Sequence, residues 1–273
     1  MAPSLVDPSM SELFGSDAYT PQQMAERVQA VGVRKAQLPL LTQALLGMLA
    51  GAFIGLGALM FTLVASDATL SFAVQRLLGG LVFSLGLVLV AVAGAELFTG
   101  NNLIAMAWAS GQVSGSALLR NWLLVGLANL AGALVLALLV HFSGHLAMNQ
   151  GAVGRTAVAI ALAKVQLPWA EAFFRGVLCN VLVCMAVWMS FAGRSVVDKA
   201  VAIVFPVTAF VSAGFEHSIA NLYFFPLAWL QGAPITLAQM AGNLLPVVAG
   251  NLVGGSVLVA LVYWLIYLRP AKA

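Results

Sequence analysis

Charge is scarce in this chain. Charged residues make up 8% of the 273, hydrophobic residues 62%, and mean hydropathy is +1.01. A soluble domain carries about a quarter charged residues, so this chain cannot cover its own surface in water, and lipid must be the solvent for most of it. The net charge of +3 is small and the basic residues form no patch, which excludes nucleic acid as a partner. The two cysteines, Cys179 and Cys184, lie inside one apolar run and suit buried thiols better than a disulfide or a metal site. His141 and His145 are four apart but have no third ligand in view, so no metal is expected. Without a metal or haem ligand set there is no case for a membrane enzyme or electron carrier, and no cofactor is expected. The polar opening stretch MAPSLVDPSMSELFGSDAYTPQQ has no basic region followed by an apolar one, so no cleavable signal is expected.

What the chain has instead is a series of apolar runs, each long enough to cross a bilayer, which takes about 20 residues. They fall near 38–66, 74–110, 116–143, 169–193, 198–230 and 239–267. The second and fifth are too long for one simple helix and carry polar residues and glycines in the middle, so both read as broken helices. The spacing predicts an all-α membrane protein of six spans over 37–268. It is preceded by a segment, 1–36, holding a short amphipathic helix and followed by a short tail, 269–273. In TPQQMAERVQAVGVRK (20–35), Thr20 reads as the N-cap and Pro21 as the first helical residue. Placing both termini in the cytoplasm puts Arg27, Arg34, Lys35, Arg120, Arg194, Lys199, Arg269 and Lys272 inside, and Arg76, Arg155, Lys164 and Arg175 outside. That bias of eight to four follows the positive-inside rule.

Two internal echoes give the architecture. Glu96 and Asn101 in the second span are matched by Glu216 and Asn221 in the fifth, and NLAGALVLALLV from Asn129 by NLVGGSVLVALV from Asn251. Each half holds three spans, an odd number, so the halves enter the membrane from opposite sides as an inverted repeat. Such repeats place broken helices and the substrate path together near the bilayer midplane. Irregular backbone inside a membrane is tolerated only where protein buries it or it lines a wet cavity. The stretches 94–102 and 212–221 are therefore the expected pore-lining loops, with Gly94, Gly100 and Gly214 allowing the chain to break and restart. Restarting helices aim N–H groups and a positive dipole end at the cavity, a binding place for a small anion.

His217 is the one histidine in the apolar region, and an ionisable residue there is a functional hypothesis by default. Glu96 and Glu216 are either proton carriers or carboxylates that satisfy loop N–H groups; their symmetric duplication favours the scaffolding role. Phe83, Leu87, Leu97, Phe98 and Phe210 are either apolar constrictions or packing, and spacing alone does not separate the two.

GAELFTGNNL (94–103) and GFEHSIANL (214–222) resemble the two signature loops of the formate–nitrite transporter family. RGVLCNVLVCMAVWMS (175–190) and GNLVGG (250–255) resemble its other characteristic stretches. The resemblance covers the chain after residue 20. It implies a homopentamer of aquaporin-like protomers in the cytoplasmic (inner) membrane of a bacterium. Each protomer would have its own pore for small monovalent anions or their conjugate acids. It assigns Thr99 and His217 to the pore centre, Leu97 and Phe98 to the loop, Phe83 and Leu87 to an inner constriction and Phe210 to an outer one. Asn180 and Asn251 match pore-lining asparagines, and Lys164 a basic residue of the outer vestibule.

A bare anion entering a narrow apolar pore loses hydration worth several kcal/mol, so the economical path gathers the anion at Lys164 and neutralises it with a proton between the constrictions. His217 is then either the donor or the group that orients the ion through Thr99; a plain anion channel is the competing version. A neutral-solute pore would also use inverted repeats, but the paired NPA tripeptides it needs are absent, and Lys164 and His217 would be liabilities. The expected function is transport of a weak-acid anion, with formate preferred over nitrite or hydrosulfide because the resemblance implies it, and with protons and membrane lipid as the other partners.

Overall fold

The computed structural model describes residues 18–269; the opening stretch 1–17 and the end of the tail, with Lys272, lie outside the described residues. Every regular element among the described residues is helical. A lead helix, α1 (Pro21–Ala36), is closed by a capping box: Gln23 N–H donates to Thr20 Oγ1 at 3.3 Å and Thr20 N–H to Gln23 Oε1 at 3.0 Å. Among the described residues, six helices are long and apolar enough to cross a membrane: α2 (Leu40–Ala65), α3 (Phe72–Gly94), α5 (Gly115–Phe142), α7 (Trp169–Ser190), α8 (Val196–Ala213) and α10 (Leu237–Tyr267). Between them lie the short α4 (Ala105–Ala109), α6 (Ala152–Val165) and α9 (Ser218–Leu230).

The second and fifth spans are broken, as their length and polar centres predict. In the second, α3 ends in a π-turn at Gly94 (φ +84°), residues 95–99 run without helix, and a 3-10 turn, Gly100–Ile104, leads into α4. In the fifth, α8 stops at Gly214 (φ +77°) and α9 restarts after His217. Both glycines hold the left-handed conformation that costs other residues about 1–2 kcal/mol, and they sit at matching positions of the repeat.

The surface is apolar, unlike that of a soluble protein, and the mostly apolar interior holds a set of buried amides. Asn101, Asn102, Asn121, Asn129, Asn180, Asn221, Asn243 and Asn251 are all buried, while Leu119, Leu123, Leu127, Phe205 and Leu245 are exposed. Lipid tails are as apolar as leucine, so close backbone packing must replace the hydrophobic effect between helices. Gly132 of α5 and Gly254 of α10 do this at matching positions: a Cβ on either would run into the carbonyl oxygen of Met48 or Val177. Nine residues of α10 around that contact, Val253–Leu261, follow a π-helical path that lets Gly255 close on α7. α1 packs against the last turns of α10, so both ends of the described chain lie on one side of the molecule, the terminal side; α6 lies on the far side.

Candidate functional site

Each break is held by a matching core of bonds, with one, Lys35 Nζ to Asn101 Oδ1 at 2.9 Å, found on the terminal side alone. On the terminal side, Lys35 Nζ lies 2.9 Å from Glu96 Oε1. Asn101 Nδ2 donates to Glu96 Oε2 at 2.7 Å and to Asn121 Oδ1 at 3.0 Å, and Asn121 Nδ2 returns to the Lys35 carbonyl at 3.2 Å. On the far side, Lys164 Nζ lies 2.7 Å from Glu216 Oε1. Asn221 Nδ2 donates to Glu216 Oε2 at 2.7 Å and to Asn243 Oδ1 at 2.8 Å, and Asn243 Nδ2 to the Lys164 carbonyl at 2.8 Å. Asn129 and Asn251 tie the loops down further. Asn129 Nδ2 donates to the Gly47 and Glu96 carbonyls while its Oδ1 accepts from Phe98 N–H. Asn251 does the same with Gly176, Glu216 and Ser218. Polar groups freed by breaking a helix in a membrane must find partners inside the protein; here each half supplies them from a lysine, a glutamate and three asparagines.

These pairings put α1 into the repeat opposite α6. The sequence carried that signal as Lys35-x-Gln-Leu-Pro, echoed by Lys164-x-Gln-Leu-Pro, and as Asn121 and Asn243, each eight residues before Asn129 and Asn251 (129 − 121 and 251 − 243). Reading the repeat from the spans alone missed Lys35, Asn121 and Asn243.

The symmetry fails where the chemistry is. Aligning Glu96 on Glu216 pairs His217 with Leu97 and Thr99 with Ile219, so only one half carries each polar group. His217 Nδ1 accepts from Ala220 N–H at 3.1 Å as the N-cap of α9, and its Nε2 lies 3.0 Å from Thr99 Oγ1. A nitrogen that accepts carries no proton, so the ring is the neutral Nε2–H tautomer, donating to the Thr99 hydroxyl. That leaves the hydroxyl hydrogen of Thr99 free to donate elsewhere. The loop beneath is fixed by the Thr99 carbonyl, which accepts from Asn180 Nδ2 and Cys184 Sγ, each at 3.3 Å.

Two cavities approach this pair from opposite ends. The terminal-side cavity, about 490 Å³, is lined by Arg27, Lys35, Leu87, Val90, Leu97 and Lys199 among others. The far cavity, about 330 Å³, is lined by Arg76, Phe83, Lys164, Arg175, Phe210 and His217 among others. Phe210 stacks on the His217 ring at 5.9 Å between centroids, and Phe83 meets Phe210 edge-on at 5.9 Å.

The resemblance groups Phe83 with Leu87 at one constriction; the structure separates them. They are one turn apart on α3, about 6 Å along its axis, which places Phe83 beside Phe210 on the far cavity and Leu87 beside Leu97 on the terminal one. Lys164 lines the far cavity, but paired with Glu216 rather than as a free charge. Glu96 and Glu216 are both buried and bonded within the two clamps. Asn180 and Asn251 are fully buried, donate to main-chain carbonyls (Thr99 and Asn251 for the first, Gly176 and Glu216 for the second), and line neither cavity. Phe98 is buried behind the loop and lines neither cavity. Arg76, Asn102 and Cys184 join the site although the sequence gave none of them a role in it: Asn102 Oδ1 accepts from Asn180 Nδ2 at 2.7 Å.

This arrangement matches known proteins along nearly its whole length. The formate channel FocA of Escherichia coli (strain K12) is 40% identical over 93% of this chain and 96% of its own. The uncharacterized transporter YrhG of Bacillus subtilis (strain 168) is 39% identical over 93% and 95%. Among solved structures, a pentameric formate channel with formate bound is 39% identical with a TM-score of 0.77, covering 84% of this chain and 98% of that one. An FNT family ion channel is 32% identical with a TM-score of 0.83, covering 89% and 98%. Residues 22–265 match the sequence model described as formate/nitrite transporter, and the chain is an integral membrane member of the formate/nitrite transporter family.

Proposed function

We propose that this protein moves formate across the membrane through a path in each protomer, and that the ion passes the centre as the neutral acid. The observation that carries this reading is the single imidazole, His217, bonded through Nε2 to Thr99 between an aromatic pair and an aliphatic pair that face opposite cavities. A formate anion squeezed between Phe83 and Phe210 loses water without gaining a partner of opposite charge, at a cost of several kcal/mol. Protonation removes most of that cost.

The neutral tautomer of His217 favours an orienting role over direct donation. Giving up Nε2–H would leave an imidazolate, and adding a proton at Nδ1 would displace the Ala220 bond that caps α9. In our reading the imidazole holds Thr99 so that its hydroxyl hydrogen meets a substrate oxygen, and the neutralising proton comes from water of the entry-side cavity, whose hydroxide returns to the bulk on that side while the acid gives its proton up on the other. The similarity to the pentameric formate channel supports formate as substrate and a homopentamer as the assembly. The bias of basic residues supports a cytoplasmic terminal side in a bacterial inner membrane.

The test is formate uptake into proteoliposomes that carry a pH dye. An inward formate gradient should acidify the lumen in step with uptake. His217→Asn keeps a side chain able to cap α9 but breaks the reach to Thr99, and should lose this coupled uptake in an intact assembly. Wild-type uptake that follows membrane potential without acidification, or coupling that survives in His217→Asn, would overturn the reading.

A further inference from the structure

The far cavity is lined by three cations that differ in what already holds them. Lys164 is matched by Glu216 at 2.7 Å, and that carboxylate is locked in turn by Asn221, so the pair presents little net charge to an approaching ion. Arg175 is matched by Glu171 at 2.9 Å, one turn earlier on α7. Arg76 has no carboxylate within ion-pair distance among the described residues. It is half-buried and rigidly held. Its Nε donates to the Ser212 carbonyl at 2.9 Å and its Nη2 to the Val211 carbonyl at 2.6 Å, while Ser212 Oγ–H donates back to the Arg76 carbonyl at 3.0 Å. The Phe61 ring covers the guanidinium at 5.7 Å.

The two carbonyls belong to the last turn of α8, whose end carries about half a negative charge. A guanidinium there keeps a net positive balance. It also has five N–H donors, of which these bonds use two. The cavity that Arg76 lines also takes in Gly214 and His217, so the uncommitted donors belong to the same space as the imidazole.

We propose that Arg76 is the capture site for the anionic substrate in the far cavity. Its planar fork takes the two oxygens of a small carboxylate side by side and holds the ion until it moves on to His217 and Thr99. Lys164, already saturated by Glu216, serves the loop instead. This rests on the transport reading above and names the residue that recruits the ion.

The experiment measures formate uptake with substrate applied from the far side, at low and high ionic strength, in wild type, Arg76→Gln and Arg76→Lys. Gln keeps amide donors for the α8 carbonyls but loses the charge; Lys keeps the charge but loses the fork. Arg76→Gln should raise KM about fivefold at low salt, the scale of one partly screened unit charge, and the difference from wild type should shrink at high salt. Arg76→Lys should keep the salt dependence with an intermediate KM. An Arg76→Gln assembly with wild-type KM and salt dependence overturns the capture site. So does a pair of variants equally impaired in kcat and in melting temperature, which reports only the lost grip on α8. Should Arg76→Gln fail to assemble, Arg76→Lys decides: a raised KM with retained salt dependence supports the proposal, and an unchanged KM overturns it. A wild type that passes no monovalent anion overturns the transport reading instead.

Discussion

Replacing Lys164 by Met removes the only charged partner, among the described residues, of a carboxylate that is 4% exposed. Glu216 Oε2 keeps its bond from Asn221, but Oε1 is left facing a thioether. Breaking a buried pair by removing one partner costs about 3–5 kcal/mol, because the remaining charge stays desolvated. The matching change on the terminal side, Lys35→Met, is expected to cost about half as much, on the order of 2 kcal/mol. The Lys35 side chain is 28% exposed against 15% for Lys164, so water can reach Glu96 in the variant. Adding Glu216→Gln to Lys164→Met removes the orphaned charge while leaving an amide beside Asn221, and should recover all but about 1 kcal/mol. The four proteins of the Lys164–Glu216 cycle, with Lys35→Met beside them, would be followed by thermal unfolding and size-exclusion chromatography at one detergent and protein concentration. The order expected is wild type, double variant, Lys35→Met, Lys164→Met, with Lys164→Met lower in melting temperature by about 10 °C. A Lys164→Met protein as stable as wild type, or a double variant no better than Lys164→Met, would show that the pair does not hold the break. A Lys35→Met protein worse than Lys164→Met would refute the use of exposure to rank the two clamps.

Three further outcomes follow from the geometry of the centre, of a helix contact and of an open turn. Thr99→Val leaves the buried Nε2–H of His217 without its acceptor, which at about 1–3 kcal/mol corresponds to a formate flux about 5- to 150-fold lower; Thr99→Ser should restore most of it in stopped-flow uptake, and an equal loss in both would point to packing. Gly132→Ala drives a methyl group into the Met48 backbone and should prevent a stable assembly. Gly111→Ala, at φ +72° with open space around the added carbon, should cost only the left-handed strain of about 1–2 kcal/mol by the same thermal assay.

The six spans, the two breaks and the inverted repeat were all legible in the sequence, for physical reasons. A bilayer demands runs of fixed length, and a polar interruption in such a run can only be a place where the helix stops. The duplicated Glu96/Asn101 and Glu216/Asn221 pairs also marked the scaffold, because carboxylates and amides inside a membrane must be answered by partners. The partners themselves were harder. Lys35 was visible only as the end of an amphipathic helix, although the shared K-x-Q-L-P ending of α1 and α6 held the clue. Asn180 and Asn251 have the residue type of pore lining, yet their amides are turned to main-chain carbonyls of the two loops and of α7 and α10.

Order along the chain could not say on which side of His217 a phenylalanine falls. Phe83 and Leu87 are neighbours in sequence and differ in cavity because one helical turn spans the barrier, which depends on where α3 meets α8. Nor could it say which cation is free. Lys164 and Arg76 are both basic residues of the far side, and only tertiary contacts give the first a carboxylate and the second two carbonyls. Composition and periodicity determined the solvent, the spans and the repeat, since each is set by local burial along one helix. Charge balance and the position of the barrier belong to pairs of helices far apart in sequence, and those were decided only when the two halves closed on each other.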